Sequence, residues 1–171
     1  MSKFNQIKDY REYLRHPEKY MSKNEDKPLV ARSGLEINYF KKFDMNSKVK
    51  RWNSEEVIIP YPKPIFEYTT GVFKKYSVRK YYMDVWLLFE NEKGERYEIL
   101  GEIKPFSQTY KPKSPKRKTK KSQRNFINKT IQWYVNEAKW KQTLKYCEHL
   151  RKKGRNIRFQ ILTENKIIEY K

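Results

Sequence analysis

Two β-rich runs joined by a five-residue turn constrain this chain more than any other feature. Residues 76–89 (YSVRKYYMDVWLLF) are dense in aromatic and β-branched side chains, and residues 96–104 return as their partner. Asn91-Glu92-Lys93-Gly94-Glu95 supplies the turn between them. With the turn centred near Lys93-Gly94, the two-residue side-chain period puts Asp84 opposite Glu102 to within about one residue. Glu102 and Lys104 then share a face, while Ile103 points to the other. A carboxylate inside an apolar strand needs a partner, because an unpaired buried charge costs several kcal/mol.

The rest of the chain reads as elements arranged around this hairpin. Phe4, Ile7, Tyr10 and Leu14 recur at helical spacing and predict a short amphipathic helix over residues 2–15, with Pro17 opening a second helical stub. Residues 22–29 read as a linker, and a helix is predicted from Ser33 to about Phe43. Strand-like segments follow between Val49 and Tyr61, with Pro60, Pro62 and Pro64 expected to stop regular pairing. Residues 107–125 carry eight Lys and Arg, two prolines and no acid, which predicts a mobile loop. A long helix is predicted from about Phe126 to Lys153, with Ile127, Ile131, Tyr134 and Ala138 on one stripe and Gly154 at its end. Trp133 and Trp140 are expected in the core. Residues 157–163 and 166–170 predict two further strands. The order helix, strands, hairpin, long helix, strand fits an α/β fold, a mixed sheet with helices on its faces. Residues 1–30 form a helical extension in this reading, and residues 31–171 the main domain.

Charge narrows the partner. Forty Lys and Arg against twenty Asp and Glu give +20, and removing the eight charges of the 107–125 segment still leaves +12. Such a balance concerns partners rather than fold, and it suits the phosphate backbone of nucleic acid. An anionic membrane is the rival, but no apolar run approaches the roughly 20 residues of a membrane span. The N-terminal MSKFNQIKDY lacks the apolar core of a signal peptide, so the chain is expected to work inside a cell. One cysteine, Cys147, excludes an intramolecular disulfide. With only His16 and His149 beside it, both expected at the surface, neither a zinc site nor a Cys/His catalytic pair is supported.

Two carboxylates and an ammonium at one spot are what metal-assisted phosphodiester cleavage requires. Mg²⁺ takes hard oxygen ligands from one or two carboxylates plus waters, and Mn²⁺ could substitute. Asp84 and Glu102 are the candidate ligands, with the Ile103 carbonyl between them. Lys104 is cast as orienting the attacking water and stabilising the phosphate. Glu36 could bind a second metal, but Ser33-x-x-Glu36 is equally a helix capping box that explains both residues structurally. Arg32, Lys111, Lys113, Lys116, Arg117, Lys118, Lys120, Lys121 and Arg124 are the candidate DNA-backbone contacts. Phe106 and Tyr110 could stack on bases or simply pack.

These residues resemble the PD-(D/E)XK endonuclease superfamily, and more narrowly its transposon-end-cleaving (TnsA-like) and phage head-completion branch. The resemblance is carried by Arg32-Ser33-x-x-Glu36, Trp52-x-Ser54-Glu55, Ile59-Pro60-Tyr61, Tyr82-x-Asp84-Val85, Glu102-Ile103-Lys104-Pro105, Asn136-x-Ala138-Lys139-Trp140 and Ile161-Leu162-Thr163-Glu164. It implies a restriction-endonuclease-like fold, a central mixed β-sheet flanked by helices, with Mg²⁺-dependent cleavage of double-stranded DNA. The motif residues fall on Glu36, Asp84, Glu102 and Lys104. Met83 stands where the superfamily's name has Pro, which leaves ligation untouched. The absence of a separate target-recognition region looks like the head-completion nuclease of contractile-tailed phages. That likeness implies action on packaged DNA during head–tail joining, beside portal or neck proteins, while the +20 charge favours backbone contacts and hence low sequence specificity. No membrane partner and no small-molecule cofactor are expected. The expected location is the infected host's cytoplasm during assembly, with retention in the virion as a variant. Two other readings stay open: a non-enzymatic DNA-binding neck or head protein, and a transposon-end endonuclease subunit.

Overall fold

The computed structural model describes residues 8–117 and 119–170. A five-stranded mixed sheet carries the fold, in the order β1 (Val49–Ser54), β4 (Val85–Glu90), β5 (Arg96–Ile103), β6 (Ile157–Leu162) and β7 (Ile167–Glu169). Strands β2 (Ile58–Phe66) and β3 (Phe73–Tyr82) form a separate two-stranded ribbon. Among the strands of this sheet, β5 and β6 pair in parallel and the other neighbours antiparallel, and the helix α2 (Lys120–Lys152) makes the crossover that such a pair demands. This is the α/β, restriction-endonuclease-like architecture that the sequence predicts.

Each face of the sheet packs a different layer. Helix α1 (Gly34–Met45) turns Tyr39, Phe40 and Phe43 into a cluster with Trp52, Val85, Leu87, Ile99 and Ile103. Helix α2 and the ribbon cover the other face through Ile59, Tyr61, Tyr81, Leu100, Val135, Trp140, Cys147 and Phe159. Strand periodicity sorts β5 between them: Ile99 and Ile103 go to the first layer, and Leu100 to the second. Gly101 sits where three strands crowd together. A Cβ there would lie 2.7 Å from Val85 Cγ2 and 2.9 Å from Leu162 Cδ1.

Several expectations need correction. The run 76–89 is two strands, because β3 belongs to the ribbon and β4 to the main sheet. The chain changes sheets at Met83-Asp84, where the Met83 N–H donates to the Val57 carbonyl at 2.9 Å and its carbonyl accepts from Glu55 N–H at 3.1 Å. Pro60, Pro62 and Pro64 do not interrupt pairing; they lie opposite Lys80, Val78 and Tyr76 inside β2. All three share one parity, so their missing N–H groups fall on a single edge of the strand, the edge away from β3. Helix α2 starts at Lys120 rather than Phe126, capped by Thr119, whose side chain accepts from Ser122 N–H. The expected 107–125 loop therefore ends six residues early, after a 3₁₀ turn at Phe106–Gln108.

At the N-terminus, Phe4 and Ile7 of the expected helix lie outside the described residues, and the remainder forms one 3₁₀ turn, Tyr10–Tyr13. Tertiary donors and acceptors replace the helical ladder: Tyr10 N–H reaches the Leu29 carbonyl at 2.7 Å, and the N–H groups of Arg15 and His16 reach Asp44. Pro17 opens a second 3₁₀ turn, Pro17–Lys19. Trp140 is buried as expected, whereas Trp133 is half-buried and belongs to neither cluster. Among the described residues, no helix is long and apolar enough to cross a membrane.

Candidate active site

The β4–β5 register decides the geometry. Val85 pairs with Gly101 and Trp86 with Leu100, so Asp84, one residue earlier, faces Glu102. Asp84 Oδ2 accepts from the Ile103 backbone N–H at 2.8 Å. Glu102 is fully buried, at 0% exposure. Its Oε2 accepts from the Tyr81 hydroxyl. Its Oε1 forms an ion pair with the Lys104 ammonium at 3.0 Å and has no other hydrogen-bond partner among the described residues. The sheet, its hairpin and the ribbon thus bring Asp84, Glu102 and Lys104 together.

Burial and like charge govern ionisation here. The Asp84 carboxyl is pushed well above the usual carboxylate range, first by burial and then by Glu102, against the pull of Lys104 and the Ile103 N–H. For Lys104, burial works to lower basicity, but Glu102 and Asp84 outweigh it and hold the ammonium above its ordinary value. Tyr81 is raised well above a free phenol by burial and by the two carboxylates. Lys139 of α2 lies 4.6 Å from the centre of the Tyr81 ring. Burial lowers its basicity, with Glu102 pulling the other way.

The other candidates sit differently. Glu36 serves the cap of α1: its Oε1 accepts from Ser33 Oγ at 3.1 Å and its Oε2 from Arg32 N–H at 2.9 Å. Its charge still reaches Asp84 and Lys104. The Arg32 guanidinium pairs with Glu55, which holds a left-handed φ of 57° directly after β1. Among the basic candidates, Lys111 covers the rings of Trp133 and Tyr134 at 5.7 and 5.5 Å. Lys113, Lys116 and Arg117 are exposed in the connection, and Lys120, Lys121 and Arg124 are exposed on the first turns of α2. Lys118 lies outside the described residues.

Sequence reasoning gave no role to Tyr81 or Lys139. Tyr81 stands three residues before Asp84, on the strand that delivers it. Lys139 lies one helical turn after Asn136, a buried residue whose Nδ2 has no partner. A polar Asn-x-x-Lys on an otherwise apolar helix face was the available signal.

Among the described residues, no group of three or more His, Cys, Asp and Glu gathers into a ready metal cluster. Two carboxylates plus the Ile103 carbonyl, with water completing the shell, nonetheless match the oxygen donors that Mg²⁺ prefers. The buried Oε1 of Glu102 fits that use: among the described residues it meets the Lys104 ammonium but has no well-aligned hydrogen bond, which leaves ligating capacity on the carboxylate.

An α/β fold of this type, with paired carboxylates and a lysine at the ends of its central strands, defines a nuclease-like protein. The TnsA-like endonuclease N terminal family matches residues 46–164, more than two thirds of the chain. The chain belongs to this family, a family of nucleases with DNA as the implied substrate. The match spans β1 to β6, including Asp84, Glu102 and Lys104, and begins after Glu36. No curated protein and no solved structure matches the chain.

Proposed function

We propose that the protein is a Mg²⁺-dependent deoxyribonuclease of the PD-(D/E)XK type, hydrolysing phosphodiesters with low sequence specificity. The observation that carries this reading is the buried Glu102 carboxylate, across the strand pair from Asp84 and ion-paired with Lys104 at 3.0 Å. Asp84, Glu102 and the Ile103 carbonyl would hold the ion. When bound, it would supply Lewis-acid stabilisation of the phosphoryl oxygens and a more nucleophilic water. The Ile103 N–H fixes the Asp84 carboxylate, and the Tyr81 hydroxyl fixes that of Glu102. Lys104, kept protonated by its two acidic neighbours, places a positive charge where charge develops on the phosphate. Lys104 therefore orients water and stabilises charge rather than serving as a free base.

The biological setting proposed is phage head completion, in the host cytoplasm, with portal or neck proteins as neighbours. The family match favours a second setting, an endonuclease subunit acting at transposon ends. Transposition genes beside the coding sequence would select that setting, and portal and tail genes the first. The activity itself is tested by plasmid nicking. Products are expected with Mg²⁺ or Mn²⁺, none with EDTA, and none from Asp84→Asn, which should still retain DNA. Cleavage by Asp84→Asn at the parental rate would remove the assigned site.

A further inference from the structure

The geometry points to a binding groove for a single-stranded stretch of the substrate, between the β2–β3 ribbon and the first half of α2. This rests on the nuclease reading above and names a substrate class, DNA with an unpaired tail or flap beside a duplex. A cleft of about 770 Å³ runs between Lys63–Phe66 and the α2 residues from Lys120 to Val135. Lys63, Lys120 and Arg124 line it, together with the amides of Gln123, Asn128 and Gln132, and no carboxylate does. Its apolar wall is Ile65, Phe66, Ile127 and Ile131, and Tyr68 stands at the margin with 68% of its surface exposed.

Cations for phosphate, amides for base edges and an exposed ring for stacking are what an unpaired strand needs. A cleft of this volume is in the range that takes a drug-sized ligand, hence a couple of nucleotides at a time and no duplex. Helix α2 carries no acid in its first turn, and Lys120 and Lys121 stand there against the helix dipole, an arrangement that a bound polyanion relieves.

Strand β2 and helix α2, the two walls of the groove, both lead toward the catalytic pair: Ile59 and Tyr61 of β2 pack in one cluster with Tyr81, and α2 carries Lys139 over the Tyr81 ring. Lys63 lies close enough for its charge to act on Lys139, which itself senses Glu102 and Asp84. Along the α2 axis, Arg124 to Lys139 spans about 22 Å, room for several nucleotides in line. The basic 3₁₀-to-helix connection lies against a neighbouring face of the same stretch of α2, over Phe126, Trp133 and Asn136. A strand in the groove and a duplex gripped by the connection can therefore be held together.

The test uses the full chain in EDTA, so that cleavage cannot intervene. Fluorescence anisotropy compares a labelled blunt duplex with the same duplex carrying a short single-stranded tail. The tail is expected to tighten binding about tenfold. Lys63→Ala with Tyr68→Ala should abolish that advantage, while affinity for the blunt duplex falls less than about twofold. Equal binding of tailed and blunt duplexes overturns the proposal, as does a variant that weakens both alike. Tail-dependent binding without any Mg²⁺-dependent cleavage would instead sink the nuclease reading and leave the groove standing.

Discussion

Asp44 and Glu102 are both buried carboxylates, one on each side of the sheet, and their surroundings differ in kind. Asp44, 3% exposed at the end of α1, accepts from the backbone N–H groups of Arg15 and His16 at 2.8 Å each. Both its oxygens are used, and they pin the N-terminal turns to the helix. Glu102 spends one oxygen on Tyr81 and holds the other 3.0 Å from the Lys104 ammonium with no backbone hydrogen bond among the described residues, and Asp84 faces it across the ladder. A carboxylate that finishes its hydrogen bonds inside the chain supports the fold. One that meets only side-chain partners, beside a second acid, keeps ligating capacity for something outside the chain.

The sharpest break of this contrast is Glu102→Gln. Cleavage should fall by about a thousandfold or more, in line with removal of a group that acts as part of a catalytic unit. Urea denaturation should show little change in stability, because the lost ion pair to Lys104 is offset by removal of a like-charge neighbour of Asp84. A destabilised but active Glu102→Gln protein would reverse the roles drawn for the two acids. Asp44→Asn is the mirror experiment. The amide presents an N–H₂ to one of two backbone N–H donors, so the unfolding free energy should drop by about 1–3 kcal/mol. The rate per folded molecule should hold, and a loss of rate without a loss of stability would tie Asp44 to the chemistry.

The same contrast explains what was legible in the chain. The β4–β5 pairing could be read because a short turn with Gly94, at φ 78°, joins its strands directly and side chains alternate strictly. The neighbourhood of Asp84, Glu102 and Lys104 follows from that local geometry. The break between β3 and β4 was hidden because Tyr81, Tyr82 and Met83 continue the apolar pattern across it. Only the tertiary split between ribbon and main sheet separates them. The start of α2 was masked by composition: Lys120, Lys121, Gln123 and Arg124 are good helix formers that look like loop when read for charge alone. Lys139 and the groove beside Lys63 depend on how α2 packs on the ribbon, which no local period encodes.

Glu36 lies between the two kinds of carboxylate and yields the smallest expected effect. Its oxygens close the cap of α1 through Ser33 and Arg32 N–H, as Asp44 closes its own turns, yet its charge is felt at Asp84 and Lys104. Ser33→Ala should cost about 1 kcal/mol of stability through the lost cap, with cleavage unaffected. Glu36→Gln keeps an acceptor for the Arg32 N–H and removes only the charge, so stability should barely move. If Glu36 is purely a cap, cleavage at saturating Mg²⁺ is also unchanged. A higher Mg²⁺ requirement in Glu36→Gln, with folding intact, would place this acid with Glu102 rather than with Asp44.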